Sequence, residues 1–386
     1  MRIVIASNAP HGTSAYAGQT RSLAPRLKAL GHEVAILSTF GVHEAVIEHG
    51  GIRVYPVGLY AHGRDMTSAV CRDFRADLLL SLLDPHAWAS VGQSAEWSEA
   101  APWVPWSPID HDPPRPDTVA ALDWAWKVLP LTAWGEGALK DAGVREVLPF
   151  LPHGIETSVF KPLDQAECRR ECGLPADAFI VGFVGVNKDI PSRKGLDKAL
   201  AAFAEFKKRH GDAYLYLHTL YSAAMGGIDV PMLAEGLGLM RERDWVSVPP
   251  FKYITGQIGA GAMAKLYNSF DVLLAPSMGE GFGMPLLEAQ ACGVPVVTNK
   301  WTAMPENTVN GISVEPEGRH WTAGNSFWAS ARVGGLVDAL EIVYDTPAMR
   351  RGADSARGVA WAASHDWNRL AVERWQPMLA AWEQEL

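Results

Sequence analysis

No run of about 18 consecutive apolar residues occurs anywhere in the 386-residue chain, which argues against a membrane-spanning helix. The opening MRIVIASNAP is an apolar strand that runs straight into a turn, too short for the apolar region of a signal peptide. These absences predict a cytoplasmic protein and leave peripheral membrane contact open. The chain is also poor in cysteine. Cys71, Cys168, Cys172 and Cys292 show no paired metal-ligand spacing, and Cys168 and Cys172, four apart on one helix, make a poor disulfide. All four are expected to be reduced thiols in a reducing compartment. There is no excess of basic charge: 34 Lys and Arg stand against 43 Asp and Glu, a net charge of −9, which disfavours general nucleic-acid binding. Two nucleotide signatures are missing as well. Gly279, Gly281 and Gly283 give GxGxG without the third glycine of a dinucleotide fingerprint, the N-terminal loop lacks GxGxxG, and no GxxxxGK[ST] occurs, so neither an NAD enzyme nor a P-loop NTPase is expected.

What the chain does have is strand–helix alternation, twice over. Arg2–Ser7 is an apolar strand, the loop Asn8–Gly18 follows, then a helical pattern to Leu30, and HEVAILST begins the next strand. DLLLSLL (Asp77–Leu83) and VLPFLPH (Val147–His153) read as later strands of the same sheet. Ile155–Ala178 is rich in charge and proline and reads as a linker carrying a short helix. A second cycle then opens with the strand FIVGFVGV, the amphipathic helix LDKALAAFAEFKKRHG, and the strands YLYLHTL, DVLLAPS and GVPVVTN. The pattern predicts two α/β domains with parallel sheets covered by helices. The boundaries are set at 1–158 and 159–365, with a tryptophan-bearing helix at 366–386.

One stretch stands out, GEGFGMPLLEAQACGVPVV (Gly279–Val297), which places Glu280 and Glu288 in a very apolar setting. Between the strands DVLLAPS and GVPVV it must form a glycine-rich loop and a two-turn helix starting near Pro285, with Gly293 at its C-cap. Such a loop lies at the carboxyl end of a parallel sheet, where ligands bind. Glycines let backbone N–H groups approach an anion, and a helix N-terminus adds partial positive charge, which suits a diphosphate. Carboxylates beside a diphosphate fit if they accept hydrogen bonds from sugar hydroxyls, one on a ribose and one on a second sugar.

EGFGMPLLEAQACGVPVV, preceded by LYNSFDVLLAPS, resembles the donor-site signature of the retaining glycosyltransferases of family four, the group 1 glycosyltransferases of GT-B fold. HGIETSVFKP, SRKGLDKALAAF and LKALGHEV extend the likeness over much of the chain. The resemblance implies two Rossmann-like domains with parallel sheets facing across a cleft, an N-terminal acceptor domain on which the C-terminal helix packs, and a C-terminal donor domain. It implies a hexosyltransferase-like enzyme that moves a sugar from a nucleotide-diphosphate sugar with retention. The acceptor class stays open among saccharide, lipid, small molecule and modified nucleic acid. A sugar-nucleotide epimerase of the same fold, a nucleic-acid glycosyltransferase and a non-catalytic nucleotide-sugar binding subunit are the alternatives.

Carried onto this sequence, the resemblance gives Glu280 the transferred sugar, Glu288 the ribose, and the backbone of Gly281, Phe282, Gly283 and Met284 the sugar or diphosphate. Lys194 neutralises the diphosphate, and His111 faces the sugar. The family's first phosphate-binding arginine is absent, since Val186 and Asn187 stand in its place, so Arg193 or Lys188 is expected to supply the second cation. Ser14 and Ala15 replace paired glycines after Gly12, and their small size preserves close approach to the donor. Asp110 and Asp112 form a DxD, read here as loop structure, so no metal or other cofactor is expected.

Overall fold

The structure, a computed structural model, describes residues 1–88, 91–346 and 348–386, with the backbone alone for 87, 88, 91–95 and 348–351. Among the described residues no helix is long and apolar enough to cross a membrane. The chain forms two compact units. The first comprises Met1–Gly154, Thr322–Ser326 and His365–Leu386, and the second comprises Ile155–Trp321 and Phe327–Ser364.

The first unit is built on strands β1 (Arg2–Ser7), β2 (Glu33–Ser38), β3 (Ile47–His49), β4 (Ile52–Tyr55), β5 (Leu78–Ser81), β6 (Trp103–Ser107) and β7 (Leu129–Pro130). Their order is β3-β4-β2-β1-β5-β6-β7, parallel except for the edge strand β3. β1 is buried almost throughout, as expected of a strand covered by helices on both faces. Trp97 and Trp103, both fully buried, meet edge to face at 6.0 Å. The last 22 residues join this unit by aromatic packing. The ring of Trp106 meets Trp367 and Trp375 at 6.3 and 5.2 Å, and Trp126 meets Trp382 at 6.0 Å. Burying such side chains contributes about 1.5–3 kcal/mol each.

Val147–His153 is not a strand. It runs alongside the sheet with a single bridge, Val128 to Val147, and isolated bonds from Leu148 N to Val128 O and from Leu151 N to Pro130 O. Pro149 and Pro152 remove the donors that a ladder would need.

The second unit carries β8 (Phe179–Val184), β9 (Ala213–His218), β10 (Trp245–Ser247), β11 (Val272–Ala275), β12 (Val296–Asn299) and β13 (Gly311–Val314), all parallel, in the order β10-β9-β8-β11-β12-β13. An antiparallel hairpin follows, β14 (Pro316–Trp321) and β15 (Phe327–Ala331). The helix Leu196–Lys207 buries Leu200, Phe203 and Phe206 against Val181, Phe183 and Leu215. The short helix expected in the linker is Gln165–Cys172. KKRH (Lys207–His210) ends the amphipathic helix, its groups tied to Gly211 O, Glu205 and Glu341.

Candidate functional site

From β8 the chain passes to β9 and β10 on one side, then returns to lay β11 on the other. That reversal is the switch point of an open parallel sheet, where loops leaving the carboxyl ends of two neighbouring strands diverge and leave a crevice. The loop after β8 carries Asn187, Lys188, Arg193 and Lys194, and the loop after β11 carries Ser277–Gly283. They are stitched together by a backbone bond from Met278 N to Arg193 O, 2.7 Å. Gly195, at φ +68°, begins the helix Leu196–Lys207, and a Cβ there would overlap the carbonyl of Pro276. Only glycine lets the two loops approach this closely.

The geometry around Glu280 follows from that approach. Lys194 Nζ donates to Glu280 Oε1 at 2.6 Å, Ser277 Oγ donates to the same oxygen at 2.7 Å, and Arg193 Nη1 stands 3.9 Å from Oε2 while donating to Gly279 O at 2.9 Å. The guanidinium also lies over the Trp328 ring, 5.9 Å from its centroid. Thr302, after β12, closes the loop from below, accepting from Glu280 N at 3.1 Å and donating to Glu280 O at 3.0 Å. Burial pushes the Glu280 carboxyl up, but Lys194 and Arg193 outweigh it and hold the group below its ordinary range. It is therefore a carboxylate at neutral pH.

The loop turns into the helix Met284–Ala291 at Gly283, which sits at φ +89°. Pro285 is in the first turn, as expected, although the helix starts one residue earlier, at Met284. The carbonyl of Phe282 accepts from Asn307 Nδ2 at 2.7 Å, which anchors the loop to the segment after β12. One turn on, Glu288 accepts a 2.7 Å bond from the hydroxyl of Tyr267. Burial raises the Glu288 carboxyl to about 7, against the opposing effect of the tyrosine hydrogen bond. The two glutamates thus differ in kind, one ion-paired and one poised near neutrality.

The structure brings Arg193, Lys194, Glu280 and Gly283 together. It does not bring Lys188 to them by any hydrogen bond or ion pair, and that side chain is exposed. Asn187 has a structural task. Buried to within 1% of its surface, it donates to the carbonyls of Leu220, Ser222 and Ile228 and accepts from Ile228 N. Of the two expected cations, Arg193 is the one whose guanidinium stands near Glu280 beside Lys194. Ser277, Thr302, Asn307 and Tyr267 were missed by sequence reasoning. Tyr267 and Ser277 lie within the quoted LYNSFDVLLAPS, while Thr302 and Asn307 carry no local signal.

Gly12, Ser14, Ala15 and His111 belong to the first unit. The loop after β1 stands at that sheet's own switch point, between β1 and β5. Ser14 caps the helix Ala15–Ala29, its Oγ accepting from Ala17 N at 3.2 Å and from Asn8 Nδ2 at 2.7 Å. A Cβ on Gly12 would press on Ala17 Cβ at 3.1 Å. His111, buried, meets Asp110 through Nδ1 at 2.6 Å, so Asp110 is engaged within the loop. The resemblance is what ties these four residues to a donor.

Comparison with known proteins places this architecture. Residues 178–323 match the family model described as glycosyl transferases group 1. Among curated proteins, the D-inositol 3-phosphate glycosyltransferase of Actinosynnema mirum is 30% identical over 234 residues, 61% of this chain and 51% of that protein. The enzyme of the same name from Arthrobacter sp. is 31% identical over 224 residues, 57% of this chain and 47% of that protein. The chain thus spans about half the length of the curated relatives it matches. Among solved structures, sucrose-phosphate synthase from Thermosynechococcus elongatus superposes with a TM-score of 0.78 at 18% identity, over 100% of both chains. Anabaena HepE in complex with UDP and glucose gives 0.69 at 16%, also over 100% of both. The fold is GT-B, and over residues 178–323 the chain is similar to the group 1 glycosyltransferases.

Proposed function

We propose that the chain is a retaining glycosyltransferase that takes a nucleotide-diphosphate sugar and acts without a bound metal. The carrying observation is the convergence of Arg193 and Lys194 on Glu280 at the switch point of the second sheet, before the helix Met284–Ala291. Two cations and a helix N-terminus supply positive charge where a diphosphate leaves. The backbone of Gly281, Phe282, Gly283 and Met284 follows the diphosphate or sugar, Glu280 accepts from hydroxyls of the transferred sugar, and Glu288 accepts from the ribose. His111 is assigned to the sugar, and Gly12, Ser14 and Ala15 to the donor, on the resemblance. The solved complexes of HepE with UDP and glucose and with UDP-glucose support a nucleotide-sugar donor.

In the step itself, an acceptor hydroxyl attacks the anomeric carbon from the side that the diphosphate leaves. The C–O bond to phosphate breaks, the departing phosphate oxygen takes the acceptor's proton, and the nucleoside diphosphate is released. Lys194 can follow the growing charge, because its bond to Glu280 is exchangeable for one to phosphate. The D-inositol 3-phosphate glycosyltransferases among the relatives make a polyol phosphate the first acceptor to try. The experiment is a panel of UDP-, GDP-, ADP- and TDP-sugars, with inositol phosphate and with water as acceptor, run with and without EDTA. Glycosyl transfer or slow donor hydrolysis that survives EDTA is expected. Activity lost on chelation and restored by manganese or magnesium overturns metal independence and returns Asp110 and Asp112 to consideration. Sugar isomerisation without an acceptor would make the chain an epimerase.

A further inference from the structure

Tyr267 lies on the helix Ala260–Asn268 and has no exposed surface. Its ring packs against those of Phe160 and Phe270, with centroids 6.3 and 6.1 Å away. Phenylalanine would fill the same space, and a buried hydroxyl is favourable only when paired. Among the described residues its one hydrogen bond goes to Glu288 Oε2, at 2.7 Å, and Glu288 Oε1 takes no bond from the chain. A carboxylate with one oxygen fastened and one available is arranged for a ligand, whereas the two bonds to Glu280 Oε1 secure that group to its own loop through Ser277 and to the loop after β8 through Lys194.

We propose that Tyr267 is a positioning residue for the nucleotide's ribose: its phenol holds one oxygen of Glu288 and presents the other to the ribose hydroxyls. The inference rests on the reading of Glu288 given above and adds the device that makes it work. A free glutamate side chain loses rotamer freedom when it grips a ligand. Fastening it beforehand to a fully buried, ring-packed phenol spares the ligand that ordering. The phenol is a neutral donor, so Glu288 keeps its acceptor character, which a lysine partner would partly neutralise.

The test compares binding of a nucleoside diphosphate with that of its 2′,3′-dideoxy counterpart. The probe is whichever of UDP, GDP and ADP binds the full chain most tightly in calorimetry. For the unaltered protein the dideoxy form is expected to bind at least about tenfold more weakly. In Tyr267→Phe the affinity for the ribonucleotide falls about three- to tenfold, while that for the dideoxy form is unchanged, so the discrimination shrinks. In a Glu288→Ala background, Tyr267→Phe then adds nothing. An equal loss for both nucleotides overturns the proposal, because it marks a merely structural hydroxyl. So does no loss at all in Tyr267→Phe when Glu288→Ala is weakened. If Glu288→Ala itself retains full discrimination, or none of the three diphosphates binds, the reading of Glu288 fails and the proposal with it. Should Tyr267→Phe not fold, Glu288→Asp asks the same question. A carboxylate one methylene shorter cannot span phenol and ribose together, and undiminished discrimination in that variant overturns the proposal.

Discussion

Glu280 and Glu288 are both held by the chain before a ligand arrives, but by groups of opposite consequence. Glu280 shares Lys194 with the expected diphosphate, so its removal frees a cation. Glu280→Ala is expected to leave affinity for the free nucleoside diphosphate intact or improved while turnover falls about 10- to 150-fold, the worth of one charged hydrogen bond. Glu288→Ala is expected to do the reverse, weakening the diphosphate by a similar factor. Calorimetry beside steady-state rates separates the two, and weaker binding in Glu280→Ala would reverse the assignments. Glu288 also predicts a pH dependence. Its carboxyl, ordinarily near 4.5, is raised to about 7 by burial. The folded state therefore binds more protons than the unfolded chain between those values, and this group's stabilising contribution is full below about 4.5 and lost as pH rises through about 7. In its proposed role at the ribose Glu288 must be a carboxylate, so affinity is expected to rise across the same interval and level off above it. A diphosphate's terminal group itself titrates near about 6, so Glu288→Gln is the reference. A pH slope identical in both proteins would show that Glu288 does not titrate on binding. Glu280 and Glu288 stood out in the sequence because they share one short glycine-rich stretch, whereas Lys194, far from them in the chain, was singled out through the resemblance of SRKG. Ser277 and Thr302 were not legible, because a hydroxyl that braces a loop leaves no pattern.

The strands at the centre of each sheet were legible because burial on both faces forces an unbroken apolar run, as in FIVGFV and RIVIAS. β6 was not, since WVPWS carries Pro105 inside a strand, which argues against one on hydrogen-bonding grounds. Val147–His153 failed in the other direction: its apolar alternation looks like a strand, but its prolines leave only isolated bonds. The hairpin of β14 and β15 escaped notice because its first strand is mostly exposed and polar. The loop–helix junctions were read from glycine and proline, and the structure shows why those residues are needed. Gly195 is the strictest case, with a left-handed backbone and no room for a Cβ beside Pro276. Gly195→Ala is expected to destabilise the second unit by about 2–4 kcal/mol, lowering its melting temperature by about 5 °C or more. Because Pro276 leads directly into Ser277 and Glu280, donor affinity should fall with it. A melting temperature within about a degree of the parent would mean that the two loops are not locked together as described.

Two α/β units on one chain follow from the double strand–helix cycle, and the family match at residues 178–323 falls on the second of them almost entirely. That unit holds the groups suited to a diphosphate and a ribose, which are common to many donors, so its pattern could be read without knowing the sugar. What that chemistry does to the anomeric carbon is the remaining prediction. Double displacement needs a carboxylate free to attack the face opposite the leaving group. Within the second unit, Glu280 has Oε1 bonded to both Lys194 and Ser277 and is oriented to accept hydrogen bonds from sugar hydroxyls in the proposed role. Glu288 is tied to Tyr267 and assigned to the ribose. Neither is a free nucleophile. Single displacement with inversion needs instead a general base beside the acceptor, and the candidates from the sequence, Asp110 and Asp112, flank His111, with Asp110 already bonded to it. In the proposed role, with Arg193 and Lys194 at the leaving diphosphate, the two cations that meet at Glu280 favour departure of the phosphate ahead of attack, with the acceptor arriving on the same side. From an α-linked donor the expected product is α-linked, and no glycosyl-enzyme should accumulate in intact-mass spectra during turnover. An NMR coupling constant diagnostic of a β-linked product would reject retention and move the general base to Asp110 or Asp112, whereas a covalent adduct on Glu280 would make that residue a nucleophile after all.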